Sequence, residues 1–169
     1  MDMLDRLLGH DIWTTRQLLS RCRELTAGQW HQPFDVGNGS VSATLRHMLD
    51  NIRVWTDLAA GRPVRPRLEF VLESADTWLE HFDTEYTAFA ILARQLADEG
   101  RLDDYFTDTL DTPPTRKTCG GAIAHVILHN MHHRGELLHM LARLGVQNLL
   151  EGDLLSWEHT TSASKIKND

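Results

Sequence analysis

The stretch His125-Val126-Ile127-Leu128-His129-Asn130-Met131-His132-His133-Arg134-Gly135-Glu136 decides how this chain is read. Four of the ten histidines fall within nine of its residues. Helix propensity does not ask for such a cluster, because histidine is only an ordinary helix former. Histidine is, however, the commonest metal ligand, and two of them four residues apart stand on one helix face, one turn apart. A turn rises about 5.4 Å, a gap two imidazoles bridge by leaning onto a shared ion. At about 100° per residue, His125, His132, Glu136, His139 and Arg143 fall on one polar line. Ala122, Val126, His133, Leu137, Met140 and Leu144 fall on an apolar line, with His129 on the border between the two. His129 and His133 are therefore the pair expected to face the interior, while His125, His132 and His139 face water.

An open metal site takes three protein ligands and leaves a position for water or substrate, so the pair needs a partner on another helix. Working outward from the histidine helix, which Gly145 stops, three more helical periods are visible. The first covers residues 3–23, with Leu4, Leu8, Ile12, Thr15, Leu19 and Cys22 on its stripe. Within it, Trp13 is expected in the core, and His10 and Asp11 on a solvated or hydrogen-bonded face. The second covers residues 41–60 after a Gly-Asn-Gly-Ser turn whose Ser40, or else Ser42, serves as N-cap. His47 lies beside its apolar face and is the mid-helix candidate for the third ligand; His10 and His81 are rivals. The third runs from Glu73 or Ser74 to Glu99 and is stopped by Gly100. Residues 25–40 and 62–70 read as connections. Residues 102–114, with Pro113-Pro114 and four aspartates, read as an ordered loop holding at most a short extended piece. Cys119 is expected near the start of the fourth helix, where the dipole favours a thiolate, about 15 Å along the helix from His129. Gly135 in mid-helix costs about 1 kcal/mol against alanine, which close approach of a neighbouring helix would explain.

The expected architecture is an all-α four-helix bundle, with facing helices where metal ligands are usually built. One domain is expected over residues 1–159, with Leu149-Leu150 and Leu154-Leu155-Ser156-Trp157 packing down on the bundle and residues 160–169 a flexible tail. The formal charge of −7 shows no basic face for phosphates, so nucleic acid is not expected as a partner. No apolar run is long enough to span a bilayer, and residues 1–6 lack the pattern of a signal peptide. The two cysteines, Cys22 and Cys119, form no CxxC, which fits a reduced, cytoplasmic protein and excludes a cysteine-rich zinc site.

Several pieces together carry a family resemblance. They are His-Asp-x-Trp (His10, Asp11, Trp13), Gly39-Ser40 leading to Thr44-Leu45-x-His47, the run His129 to Glu136 with its His-Arg-Gly core, the Leu141-x-x-Leu144-Gly145 ending, and Asp153 with Trp157. Over nearly its whole length the chain resembles the DinB/YfiT-like family of metalloenzymes. That resemblance implies an up-down-down-up four-helix bundle, a homodimer, and a divalent metal, zinc or nickel, held by His47, His129 and His133. Glu136 stands where many relatives have glutamine; lying on the polar line, it is not assigned as a ligand. The wider fold is similar to that of bacillithiol- and mycothiol-dependent transferases and maleylpyruvate isomerases. It thereby implies transfer of a low-molecular-weight thiol to a small electrophile, with the metal activating the thiolate and Asn51, one turn beyond His47, as a supporting partner. The alternatives are a metal-dependent hydrolase and a dimeric metal-binding stress-response protein without turnover. No side chain is assigned as general base.

Overall fold

The computed structural model describes residues 1–69, 74–150 and 152–166, with side chains to Thr161. Among these residues the chain is mostly helical, with six α-helices and one small hairpin. Helix α1 (Met3–Arg21) opens on a reciprocal capping box. The Asp2 carboxylate accepts from the Asp5 amide, and the Asp5 carboxylate accepts from the Asp2 amide at 3.0 Å, satisfying two donors that a helix start leaves open. A 3-10 turn (Cys22–Glu24) follows. The connection expected next contains one more turn of helix, α2 (Ala27–Trp30), capped by Thr26 with Gln29. That Thr-x-x-Gln box drives Trp30 into the core, where it is 1% exposed.

Ser40, rather than Ser42, caps helix α3 (Val41–Ala59), its hydroxyl accepting from the Ala43 amide at 3.1 Å. Helix α4 (Ala75–Asp98) starts after Ser74; Glu73, the other expected start, lies outside the described residues. The short extended piece allowed for within residues 102–114 is strand β1 (Tyr105–Asp108); it pairs antiparallel with a strand the sequence reading does not include, β2 (Thr115–Thr118), with Tyr105 opposite Thr118. Thr118 then caps helix α5 (Cys119–Arg143) by accepting from the Gly121 amide. Helix α6 (Leu154–Ile166) continues through residues expected to be tail. Trp157 carries α6 onto α1, where its ring sits so close to Gly9 that a Cβ there would lie 2.7 Å from it. Leu155 and Leu150, also expected to pack down, are exposed.

The four long helices close a ring: α1 packs on α4 and α5, and α3 packs on the same two. Inside it lie Leu45, Met48, Leu49 and Ile52 from α3, Trp78, Phe82, Phe89 and Leu96 from α4, and Val126, Leu137, Met140 and Leu141 from α5. Three expectations fail at single residues. Trp13 is half-buried and does not reach this core. Gly135 faces open space, with nothing among the described residues within 4 Å of where a Cβ would stand, so no described helix approaches it. Cys119 is buried, and burial raises its thiol pKa against the dipole argument for a thiolate. Cys22 behaves as the apolar stripe predicts, wholly buried with its thiol pushed up to about 12 by desolvation.

Candidate metal centre

Polar groups of α5 reach two different neighbours. Toward α1, Arg134 and Asn130 both reach Asp11, which is completely buried. The Asn130 amide donates to Asp11 Oδ2 at 2.9 Å, and Arg134 Nη1 donates to Asp11 Oδ1 and to Thr15 Oγ1. Asp11 is thus a buried partner of α5, the hydrogen-bonded alternative of its sequence reading. Toward α3, His129 and His133 meet His47. The Nε2 atoms of His47 and His129 are 3.0 Å apart, and those of His129 and His133 are 3.2 Å apart.

This convergence has a chemical consequence. An N···N contact holds at most one proton, and a neutral imidazole carries one N–H and one lone pair. Glu136 Oε2 lies 2.5 Å from His133 Nδ1, so that nitrogen is the donor and His133 Nε2 presents its lone pair to the cluster. Burial, reinforced by His133 and His47, pushes His129 down to about 3, and burial followed by His133 and Arg67 lowers His47. Both rings are therefore neutral at pH 7. Nitrogens coordinated tetrahedrally at about 2.0–2.1 Å from an ion stand roughly 3.3 Å apart, close to the two separations seen. His47, His129 and His133, with ligand atoms all within 4.8 Å of one another, could hold a metal ion. A second group, His132, His133 and Glu136, meets the same distance limit, and Glu136 Oε1 is 3.2 Å from His132 Nε2.

Among the described residues the two rival histidines stand outside both groups. His10 is committed to α6's approach, its Nε2 donating to the Gly152 carbonyl at 2.6 Å and its ring edge-on to Trp157. His81 lies on α4. His125 and His132 are exposed as expected, although His125 stacks edge-on to Trp55 at 5.1 Å between centroids. Asn51 is half-buried and accepts from the Trp55 indole at 2.8 Å, holding that ring beside His125. Glu136 is the residue that helical angles undervalued. It sits only 16% exposed beneath Gly37, whose φ of 60° and missing Cβ let the loop lie on the carboxylate; a Cβ there would be 2.8 Å from Glu136 Oε2. The i, i+3 spacing from His133 was the available signal. A cavity of ≈500 Å³ opens beside His47, walled by Asn38, Ala43, Arg46, Asp50, Asn51, Val54, Trp55, Arg67, Leu68 and Leu110.

A helical ring with convergent histidines from two of its helices defines a class of candidate metal-binding helical proteins. Comparison with known proteins narrows it: residues 1–161 match the DinB family, and the chain belongs to that family. It is similar to protein DinB of Bacillus subtilis (strain 168), 21% identical over 155 residues that span 85% of this chain and 87% of that one. Its fold is similar to the crystal structure of a DinB-like protein from Bacillus cereus ATCC 10987, with a TM-score of 0.63 and 19% identity, covering 84% of this chain and 92% of that chain. No helix among the described residues is long and apolar enough to cross a membrane.

Proposed function

We propose that His47, His129 and His133 are the ligands of a divalent zinc or nickel ion in an up-down-down-up four-helix bundle that transfers a low-molecular-weight thiol to small electrophiles. The observation that carries this reading is the meeting of three Nε2 atoms from α3 and α5 in two N···N contacts that share His129 Nε2, a nitrogen that cannot donate in one and accept in the other. When bound, a divalent cation supplies Lewis acidity that holds a thiol as thiolate, or lowers the pKa of water, near neutral pH. The protein's own contribution is orientation and charge state. Glu136 fixes the His133 tautomer, and burial keeps His129 and His47 neutral; Trp55, Leu68 and Leu110 line the cavity beside His47. In the transfer the thiol proton leaves to solvent, a carbon–sulfur bond forms, and the leaving group departs with its electron pair. Family membership sets the prior for this chemistry, and the site must carry the argument for it.

The same reading takes the protein to be a cytoplasmic homodimer of one domain. Both cysteines are buried and unpaired, which suits a reducing compartment. The test is metal content of untagged protein together with His133→Ala. About one equivalent of zinc or nickel, absent from the variant, supports the centre; no metal and no tight uptake on titration overturns it. Loss of an electrophile only when a thiol is present supports transfer, whereas loss without thiol replaces transfer by hydrolysis.

A further inference from the structure

The ≈500 Å³ cavity beside His47 carries a charge arrangement that the rest of the surface does not. The chain has fourteen arginines among 24 acidic residues and a net charge of −7, so a guanidinium finds a carboxylate almost everywhere. Eleven of the fourteen are in ion pairs: Arg6, Arg16, Arg21, Arg23, Arg53, Arg62, Arg65, Arg94, Arg101, Arg134 and Arg143. Arg116 instead lies over the Tyr105 ring, 4.4 Å from its centroid. The remaining two, Arg46 and Arg67, have no ion-pair or hydrogen-bond partner among the described residues, and both line this one cavity. Exposure does not account for the difference. The paired Arg16, Arg23 and Arg143 side chains are 49%, 56% and 48% exposed, while Arg46 is only half-buried itself.

The acidic side chain on the same wall is already engaged. Asp50 Oδ1 accepts from Arg53 Nη1 at 3.3 Å and from the Leu68 amide at 3.1 Å. Among the described residues this leaves two guanidinium forks without a partner, and such forks suit carboxylate or phosphate oxygens bidentately. The same lining also offers apolar surface, from Val54, Trp55, Leu68 and Leu110. We propose that this cavity is the substrate pocket of the histidine centre and that it takes a small anionic molecule, a carboxylate or phosphate, whose charged group pairs with Arg46 and Arg67 and whose apolar part lies against Trp55 and Leu110. The proposal builds on the metal reading above, because it is His47 that joins the cavity to the cluster.

Succinate and inorganic phosphate are the probes, titrated calorimetrically into the full chain both metal-free and carrying one equivalent of zinc. Succinamide is the uncharged control. At least one anion is expected to bind, and the one bound more tightly identifies carboxylate or phosphate chemistry. Replacing both arginines (Arg46→Ala with Arg67→Ala) should weaken it tenfold or more, and the paired lysine replacements should weaken it less. Zinc content and melting temperature should not change in either variant, since neither side chain has an ion-pair or hydrogen-bond partner among the described residues. Zinc that never binds would sink the metal reading alone, and the metal-free titration would still decide the arginine pair. Binding of neither anion, equal binding of succinamide, or alanine variants with unaltered affinity would overturn the anionic pocket.

Discussion

Replacing Glu136 separates the two metal geometries that the histidine cluster offers. In one, Glu136 only holds His133, its Oε2 2.5 Å from Nδ1. In the other it is a ligand itself with His132 and His133. If it only orients, Glu136→Ala frees the His133 ring to turn and removes a carboxylate that raises the basicity of Nε2; losses of this kind weaken metal by about 10–100-fold, or roughly 1.4–2.7 kcal/mol. Glu136→Gln should cost less than tenfold, because the amide oxygen still accepts from the Nδ1–H. His133→Ala, by contrast, should abolish tight binding, since two imidazoles remain. The assay is competition of untagged protein against a chromophoric chelator at pH 7, with circular dichroism melts to confirm that each variant is folded. Glu136→Ala binding metal as tightly as the parent would refute the orienting role. A loss as complete as that of His133→Ala, with His47→Ala harmless, would move the centre to the second group.

Three further outcomes follow from the packing and charges. Asp11→Ala leaves Arg134, 6% exposed, as an uncompensated buried cation and should destabilise by about 3–5 kcal/mol in urea melts; a loss under 1 kcal/mol would show that Arg134 escapes to water. Gly135→Ala should stabilise by about 0.5–1 kcal/mol, since the position is helical and open; destabilisation would show instead that another chain covers this face. Because burial depresses His129 to about 3 from the usual 6.5, the unfolded chain binds a proton between these values that the folded chain does not. Metal-free protein should therefore lose melting temperature as pH falls from about 6.5 toward 4, and His129→Gln should flatten that slope; an identical slope would assign it to other groups.

What was legible in the sequence depended on whether one helix could be read alone. The polar and apolar lines of α5 placed His129 and His133 inward and His125 and His132 outward correctly, because a helical wheel needs no partner. The same wheel set Glu136 aside as polar, since the wheel does not see that the 36–39 loop folds over it with Gly37 against its carboxylate. For Asp11 the sequence leaves solvated and hydrogen-bonded alternatives open for a similar reason: its counter-charge, Arg134, is 123 positions away. Strand β2 was invisible because Thr115-Arg116-Lys117-Thr118 has no apolar alternation; it is held by pairing to β1 and by Lys117 reaching Asp108 and Asp111. Helix α6 is not announced in the sequence, because beyond Trp157 there is no apolar stripe to mark it.

Helix α5 is where folding and chemistry share one set of residues. Asn130 follows His129 and Arg134 follows His133, so two polar pairs four residues apart lie about 100° from each other around the helix. One pair is fastened to Asp11 on α1, and the other faces His47 on α3. A buried ion pair is weak evidence for stability, because desolvation offsets most of its Coulombic gain. Its directional value is larger. Hydrophobic contacts are non-directional and leave a helix free to roll on its neighbours. An imidazole nitrogen stands about 6 Å from the helix axis, so a roll of only 20° would carry it about 2 Å. A functional constellation tolerates about 0.5 Å, which on this lever is a roll of some 5°. Two hydrogen bonds from α5 to a carboxylate that is itself completely buried restrain that roll in a way the surrounding Leu, Ile and Met side chains do not. The charges placed in the core at Asp11 and Arg134 are thus best understood as fixing where His129 and His133 point, and the stability they cost or contribute is secondary to that.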